Sequence, residues 1–401
     1  MTAENRKRLA TLADALAAAI AVSLPWSTSA TAIFVGLWFL TLVPILRWGD
    51  LRREILTPAG GLPVLLVLLG VAGMLWADVT LLERWKGLDS FLKLLAIPLL
   101  LVQFRHSGRG HWIFGGYLLS CITLLIVTSI VIAVPPLAAS FLHWDNVIVK
   151  NAATQSGEFV TCIFGLLYLA VTASAQKRWS WVFACAVVIL AMLGNIFYFS
   201  TGRTALVTIL VLLVLLGLRT SNVKTIAGLL AAAIVLVVIA WISSPYLRER
   251  IEAVQFEVQQ YENLNERTST GERLEFWKKS AEFIRQAPVI GHGTGSIRAL
   301  FEKAAAGQTG AAGVAAANPH NQTLAVGIQL GILGIAILWA MWVAHLLLCR
   351  GGGLAAWIGL VIVAQNITGS LFNSHIFDFA QGWTYVVGLG VAGGMVLAQK
   401  D

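Results

Sequence analysis

The chain has 401 residues, of which 58% are hydrophobic and only 12% are charged. Soluble domains carry about 25% charged residues, so this composition excludes an ordinary soluble protein and indicates a polytopic membrane protein. The formal net charge of +8 comes without a surface stripe of interleaved basic and aromatic residues, so we expect no nucleic-acid partner. The four cysteines lack metal-ligand spacing, which argues against a disulfide framework or a zinc site.

Apolar segments recur along almost the whole chain. Since a membrane core needs about 20 apolar residues per helix, these segments predict about twelve transmembrane helices in an all-α fold. The centres of the predicted spans lie near Ala17, Trp38, Leu68, Ile97, Leu124, Leu166, Val188, Val211, Ile234, Ile335, Val361 and Val387. Arg6, Lys7 and Arg8 precede the first apolar segment, and another span follows at once, which favours an uncleaved first helix over a secretory signal.

The distribution of basic residues predicts the orientation of the chain. If the N-terminus is cytoplasmic, fourteen Lys and Arg residues lie on the cytoplasmic side, and five lie in short outer loops or span mouths. Those five are Arg84, Lys86, Lys93, Lys150 and Arg203. The positive-inside rule therefore predicts that both termini are cytoplasmic and that the long polar segment lies outside.

The polar segment divides the chain into three predicted parts. They are spans one to nine at residues 1–243, an outer loop at residues 244–319, and spans ten to twelve at residues 320–401. Ser244 and Pro245 predict the start of an amphipathic helix that lies on the membrane surface or on the bundle. Ser269 and Glu272 form a capping-box pattern that predicts a second helix, ending near Pro288.

Two arginines in this arrangement are candidates for binding an anion. Arg203 lies at a predicted outer span mouth, where an arginine is costly unless it pairs or faces a wet cavity. Its planar fork suits bidentate phosphate binding, although a snorkelling interface arginine is the alternative. Arg273 lies in the predicted first turn of the second loop helix, which favours anions, and Trp277 follows on the same face. The alternative for Arg273 is a surface ion pair with a glutamate.

His320 is the candidate general base. It follows Pro319, which stiffens the approach to the tenth span, and it precedes Asn321 and Gln322, which offer hydrogen-bond partners. Histidine titrates near neutral pH and therefore suits proton transfer. The alternative is a histidine that caps the helix without chemistry.

Weaker candidates remain on the same predicted side. Arg84, Lys86 and Lys93 would add positive potential, whereas His375 and Asp378 occupy the last outer turn, and His143, Asp145 and His292 lie in outer loops. Each of these alone is more often structural. The chain has no Asp-x-Asp, Walker A or His-Glu-x-x-His motif, so we expect no metal and no other cofactor. Arginine would then supply the positive charge that Mg²⁺ often supplies in phosphate chemistry.

Several motifs in order resemble those of the bacterial O-antigen ligase family and its relatives, the O-antigen polymerases and protein O-oligosaccharyltransferases. They are STGRT at residues 200–204, Arg273 with Trp277, Pro288 with GHGTG at residues 291–295, and His320 with Asn321. The motif-bearing resemblance covers residues 200–334. The earlier spans agree in number and hydropathy.

The resemblance implies a metal-independent glycosyltransferase of the membrane-embedded GT-C type in the bacterial inner membrane, with a periplasmic active site. It implies a glycan on undecaprenyl diphosphate as donor and, for a ligase, the lipid A–core as acceptor. Arg203 and Arg273 would bind the diphosphate, and His320 would lie near the acceptor hydroxyl. We expect a monomer. One dominant outer loop and no soluble domain after the last span favour the ligase over the polymerase and the protein oligosaccharyltransferase.

A transporter or flippase is the competing class. It would explain the spans and Arg203 equally well. Transporters bind their substrates near the bilayer midplane, whereas Arg203, Arg273 and His320 are all predicted at outer span mouths or in the outer loop. This difference in depth favours an enzyme.

Overall fold

A computed structural model of the protein describes residues 2–142, 147–200, 202–219 and 223–400. Within these ranges the chain is helical and has no β-strand. Apart from their ends, helices satisfy the backbone N–H and C=O groups within one segment, which a bilayer core requires because it offers no water. Thr201 of the STGRT motif and the weak candidates His143 and Asp145 lie outside the described residues.

Eighteen α-helices and three short 3-10 helices make up the described structure. The α-helices are α1 (Ala3–Ser23), α2 (Thr28–Leu42), α3 (Trp48–Ile55), α4 (Pro58–Gly73), α5 (Leu81–Leu92), α6 (Ala96–His106), α7 (Gly110–Ala133), α8 (Pro135–Phe141), α9 (Ala152–Ala175), α10 (Trp179–Tyr198), α11 (Arg203–Arg219), α12 (Val223–Ser243), α13 (Pro245–Leu264), α14 (Ser269–Gln286), α15 (Ile297–Ala305), α16 (Gln322–Leu348), α17 (Gly353–Ser370) and α18 (Phe379–Ala398). The 3-10 helices are Val43–Ile45, Lys93–Leu95 and Gly310–Gly313.

Among the described residues, eight helical stretches are long and apolar enough to cross a membrane. They are Thr28–Ile45, Leu81–His106, Gly110–Ala133, Ala152–Ala175, Trp179–Tyr198, Ile226–Ser243, Gln322–Leu348 and Gly353–Ser370. The pair α3 and α4, bent by 84°, would be a ninth, broken span. This confirms a polytopic all-α membrane protein, but not the predicted count of twelve. The centres Ala17, Val211 and Val387 lie in α1, α11 and α18, which are helical but outside this set.

The packing of α18 along α6 defines two ends of the bundle. At one end Lys93 donates to the backbone carbonyls of Phe377 and Asp378, at 3.1 and 3.0 Å. Toward the other end Gly394 packs directly against Phe104. We call the end with Lys93 the loop end, because residues 244–319 also lie there. We call the other end, where α6 ends and α7 begins, the opposite end.

Each of the first two loop helices begins directly after a residue whose side chain caps its N-terminus. Ser244 accepts the Leu247 N–H at 3.1 Å and Pro245 is the first residue of α13, which confirms the predicted start. The helix α14 begins at Ser269, but the predicted capping residue was wrong by one position, because Thr268 is the N-cap and accepts the Gly271 N–H at 3.1 Å. Arg273 therefore lies just beyond the first turn of α14.

A glycine turn at residues 291–295 packs the loop against α16. Gly291 has a φ of 67°, and a Cβ there would lie 2.4 Å from the carbonyl carbon of Gln329, so only glycine fits. The Gly293 N–H donates to the Gln329 carbonyl at 2.9 Å. These contacts meet α16 beside Gly331, where a φ of 61° breaks the helix. The first part of α16, which His320 and Asn321 immediately precede, is thereby fixed to the loop.

Candidate functional site

The backbone at His320 adopts a left-handed conformation, with a φ of 53°. This conformation is uncommon for a residue with a Cβ, and it persists only where surrounding contacts support it. The His320 N–H donates to the Asn318 side-chain oxygen at 2.9 Å. On the other side, Asn321 caps α16 by accepting the Leu324 N–H at 3.1 Å. His320 is therefore held between a loop contact and a helix start.

Two neighbours orient the imidazole of His320. Its Nδ1 lies 2.9 Å from Oδ1 of Asn373, whose amide nitrogen donates to the carboxylate of Asp378. With the amide turned this way, Nδ1 is the hydrogen-bond donor and Nε2 carries the lone pair. The ring stacks on Phe276, with centroids 6.2 Å apart and planes at 21°. The arrangement leaves Nε2 available as a base.

Burial lowers the pKa of His320 below its ordinary value, and the positive charge of Arg273 lowers it further. The hydrogen bond with Asn373 and the charge of Glu272 oppose this shift. The imidazole is therefore neutral at neutral pH, which is the state a general base needs. Arg273 and His320 lie close enough for the charge of one to affect the titration of the other.

Arg273 is a half-buried arginine without a counterion in the structure. Within the described ranges, its guanidinium makes no side-chain hydrogen bond and no ion pair. Burial and the nearby charge of Arg203 lower the pKa of Arg273, partly offset by Glu257. A cation in a half-buried site is unfavourable without a partner, so this position suits a bound anion.

Arg203, by contrast, is paired. It is the first residue of α11. Its two terminal nitrogens donate to the two carboxylate oxygens of Glu257, at 2.8 and 3.1 Å. One of these nitrogens also donates to the Thr270 hydroxyl at 3.0 Å. Burial raises the pKa of Glu257, but the hydrogen bonds from Arg203 and Thr270 and the charge of Arg203 outweigh burial and lower it to about 2. The bidentate fork expected to bind phosphate thus binds a carboxylate of α13.

The structure brings the three principal candidates to one place at the loop end. The start of α11 supplies Arg203, α14 supplies Arg273, and the segment before α16 supplies His320. Arg203 affects the titration of Arg273, and Arg273 affects that of His320. Among the described residues, no group of three His, Cys, Asp or Glu side chains could hold a metal ion.

Trp277 and Asn321 have different environments. Trp277 lies one turn after Arg273 on α14, and its indole nitrogen is buried without a hydrogen-bond partner in the described structure. Asn321 is the N-cap of α16 and also donates to the Leu371 carbonyl at 3.1 Å. The expectation that Asn321 and Gln322 bond to His320 was wrong, because Gln322 accepts from the backbone N–H groups of Ile376 and Phe377.

Arg84 and Lys86 have local partners. Arg84 donates to the carbonyls of Val79 and Met74, at 3.1 and 2.8 Å, and so caps the end of α4. Lys86 pairs with Glu83 at 2.8 Å on the surface. Lys86 and Asp378 also line a cavity of about 300 Å³ that reaches Asn318 and Pro319, behind the His320 backbone.

The last turn at the loop end holds the two remaining candidates. Asp378 contacts His320 through Asn373, and burial raises the pKa of its carboxyl to about 6 despite the opposing charge of Lys93. His375 packs against Gly369 and lines a small cavity with Glu158. Burial lowers the pKa of His375 to about 4, so its ring is neutral.

The remaining weak candidate, His292, lies in the glycine turn. Its Nε2 forms a hydrogen bond with the Phe283 carbonyl at 2.8 Å.

Sequence reasoning missed Asn373 and Glu257 as parts of the site. Asn373 lies 53 residues after His320, and nothing local marks it. Helical periodicity places Glu257 on the polar face of α13. The sequence did contain an indication of the role of Glu257. An arginine at a span mouth needs a counterion, and the acidic face of a neighbouring amphipathic helix can supply one.

The comparison with known families concerns the segment that carries these residues. Residues 187–339 match the family described as O-antigen ligase. Over this segment the chain is similar to the O-antigen ligase family. The segment contains Arg203, Arg273 and His320, and the match confirms the resemblance found from the motifs. No curated protein matches the chain significantly. The family supports a ligase- or polymerase-type activity in general, with a lipid-linked glycan as the material handled.

Proposed function

We propose that the protein is an O-antigen ligase of the GT-C type that transfers a glycan from undecaprenyl diphosphate to the lipid A–core at the periplasmic face. The observation that carries this proposal is Arg273, a half-buried guanidinium with no counterion among the described residues, close to both Arg203 and His320. An unpaired cation beside a neutral histidine is an arrangement suited to an anionic leaving group and a hydroxyl nucleophile.

Arg273 would make the first contact with the donor diphosphate, because Arg203 is already engaged by Glu257. Diphosphate oxygens would then compete with the Glu257 carboxylate for the Arg203 fork. Both arginines would stabilise the negative charge that develops on the diphosphate as the sugar leaves, which is the differential interaction that catalysis requires.

The reaction would be a single displacement. The acceptor hydroxyl oxygen forms a bond to the anomeric carbon while the bond from that carbon to the diphosphate oxygen breaks and its electron pair stays on the diphosphate. Nε2 of His320 takes the hydroxyl proton, and Nδ1 stays hydrogen-bonded to Asn373. Attack from the face opposite the leaving group inverts the anomeric configuration.

The test is a transfer assay with purified protein in vesicles, diphosphate-lipid-linked glycan as donor and lipid A–core as acceptor. We expect glycan on lipid A–core and a loss of roughly 100-fold or more in His320→Ala, as is typical for a general base. His111→Ala, which replaces an exposed histidine on α7, is the matched control and should keep full activity.

The products separate the alternatives. Lengthened glycan that stays on the donor lipid would indicate an O-antigen polymerase, and glycan on a protein acceptor would indicate a protein O-oligosaccharyltransferase. Movement of donor across the bilayer without any transfer would indicate a transporter. Retention of the anomeric configuration in the lipid A–core product would refute the displacement scheme.

A further inference from the structure

A cavity of about 600 Å³, lined by charged and apolar residues, lies at the opposite end of the bundle, between α1, α2, α3 and α6. Three arginines, two aspartates and a histidine line it, together with apolar side chains. The charged and titratable lining residues are Arg6, Arg47, Arg109, Asp14, Asp50 and His106, and the apolar ones include Ala10, Leu42 and Val102. The formal charge of the three arginines and two aspartates is +1.

One of the two acidic residues of the cavity, Asp14, is neutralised by its neighbours. Asp14 is buried and accepts hydrogen bonds from Gln103 at 2.9 Å, from Ser107 at 2.7 Å and from Arg109 at 3.2 Å. Asp50 lies 3.4 Å from Nε2 of His106. The charge of Asp14 is therefore neutralised within the protein, and its oxygens do not face the cavity as free acceptors.

Two arginines of the cavity keep donors free. Arg6 uses one nitrogen, which donates to the Ile45 carbonyl at 2.8 Å. Arg47 makes no side-chain hydrogen bond or ion pair within the described ranges of the chain. The two side chains reach the same cavity from α1 and from the start of α3, so their unused N–H groups offer a bidentate site for an anion.

The neighbouring helix indicates the depth of the cavity. The eight-residue helix α3 is bent by 84° from α4, so it lies across the direction of the span. Its Trp48 is 72% exposed and the adjoining Leu56 is 74% exposed. Tryptophan side chains collect at membrane–water interfaces. The cavity beside α3 is thus at the level of lipid headgroups.

We propose that this cavity binds the phosphate-bearing headgroup of an anionic phospholipid. Arg6 and Arg47 would donate to the phosphate oxygens, and the apolar wall at Ala10, Leu42 and Val102 would contact the glycerol and the first methylenes of the chains. Basic pockets between transmembrane helices bind such headgroups. This site is separate from the candidate site at the loop end and does not depend on the proposed function.

The test is native mass spectrometry of the protein released from vesicles of equal phosphatidylglycerol and phosphatidylcholine. Wild type should retain phosphatidylglycerol. Arg6→Gln with Arg47→Gln should weaken retention by roughly tenfold or more, since two basic contacts are removed. Lys7→Gln with Arg52→Gln is the matched control, because both residues are exposed, change the net charge equally and do not line the cavity.

Three outcomes would overturn the proposal. The first is that wild-type protein retains no phosphatidylglycerol, and the second is that the control variant loses as much phosphatidylglycerol as the double variant. The third is that inorganic phosphate in phosphatidylcholine vesicles raises the thermal stability of the protein as much as phosphatidylglycerol does. The last result would assign the cavity to free phosphate instead of lipid. If the double variant does not fold, Arg47→Gln alone decides, because the Arg47 side chain makes no hydrogen bond or ion pair within the described chain.

Discussion

Both ends of the helical bundle hold arginines, and at each end one is neutralised while another is not. At the loop end Arg203 is bound by the carboxylate of Glu257 at 2.8 Å, whereas Arg273 has no partner among the described residues. At the opposite end Arg109 is neutralised by an aspartate at 3.2 Å, and Arg47 lacks a partner in the same described ranges. Each end therefore offers a site for an anion.

The two ends differ in the histidine that accompanies the arginines. His320 at the loop end is half-buried, stacked on Phe276 and oriented by Asn373. His106 at the opposite end is exposed and lies 3.4 Å from Asp50. Free arginine donors are enough to bind a phosphate group, but proton transfer also needs a base held in one orientation. The difference predicts chemistry at one end and binding alone at the other.

The largest effect in this comparison is expected from Arg273→Gln. The substitution removes the unpaired cation from the loop end, and the loss of one group that stabilises a developing negative charge costs roughly 100-fold or more in turnover. Glycan transfer in the vesicle assay measures it. Arg47→Gln removes the unpaired cation of the opposite end and is the matched control, with transfer expected to stay near the wild-type rate.

Equal losses of transfer in both variants would contradict the division of roles between the ends. Arg273→Lys sharpens the test, since it keeps the charge but loses the planar fork. We expect it to recover a minor part of the activity. Full activity in Arg273→Lys would show that a point charge is sufficient and would remove the bidentate assignment.

The sequence predicts which residues lie at the loop end, but it does not predict the contacts that they make there. Hydropathy and capping signals are local, so they place the start of α13 and bring Arg203, Arg273 and His320 to the same end. The partners of these residues are not local. Asn373 reaches His320 from the turn between α17 and α18. Periodicity places Glu257 on the polar face of α13 but does not show that it pairs with Arg203. Such pairings depend on how helices pack, which no single-segment pattern contains.

The next effect concerns Asn373, which positions His320. Asn373→Ala removes the acceptor for Nδ1, so we expect a loss of roughly tenfold in turnover with little change in acceptor KM, as for groups that orient a reacting residue. The pH profile distinguishes this role from a structural one. Because His320 acts in its neutral form, transfer is lost as pH falls through its pKa, which burial and Arg273 hold below the ordinary value for histidine.

Substitutions at Asn373 should move the acid limb of this profile in opposite directions. The hydrogen bond that His320 donates to Asn373 raises the pKa of His320, so its loss in Asn373→Ala shifts the limb to lower pH. Asn373→Asp keeps an acceptor and adds negative charge, which favours the protonated ring and shifts the limb to higher pH. An unchanged limb in both variants would exclude His320 as the titrating base or Asn373 as its partner.

The smallest effect is expected from Glu257→Gln, which releases Arg203 from its carboxylate. The pKa of Glu257 is lowered to about 2, so the ion pair stays intact across the working pH range and only a competing anion or a substitution opens it. If donor diphosphate must displace Glu257, the variant should bind donor more tightly, by at most about fivefold, since partly exposed ion pairs contribute little.

The donor KM measures this competition, and Glu252→Gln is the matched control, because it makes the same charge change at an exposed position of α13. A lower donor KM in Glu257→Gln alone means that the Arg203 fork binds the donor and that Glu257 occupies its place until the donor arrives. A donor KM that is unchanged in Glu257→Gln, together with weaker docking of α13, means that the ion pair serves the loop structure. Arg273 would then be the arginine that distinguishes the loop end from the opposite end in donor binding.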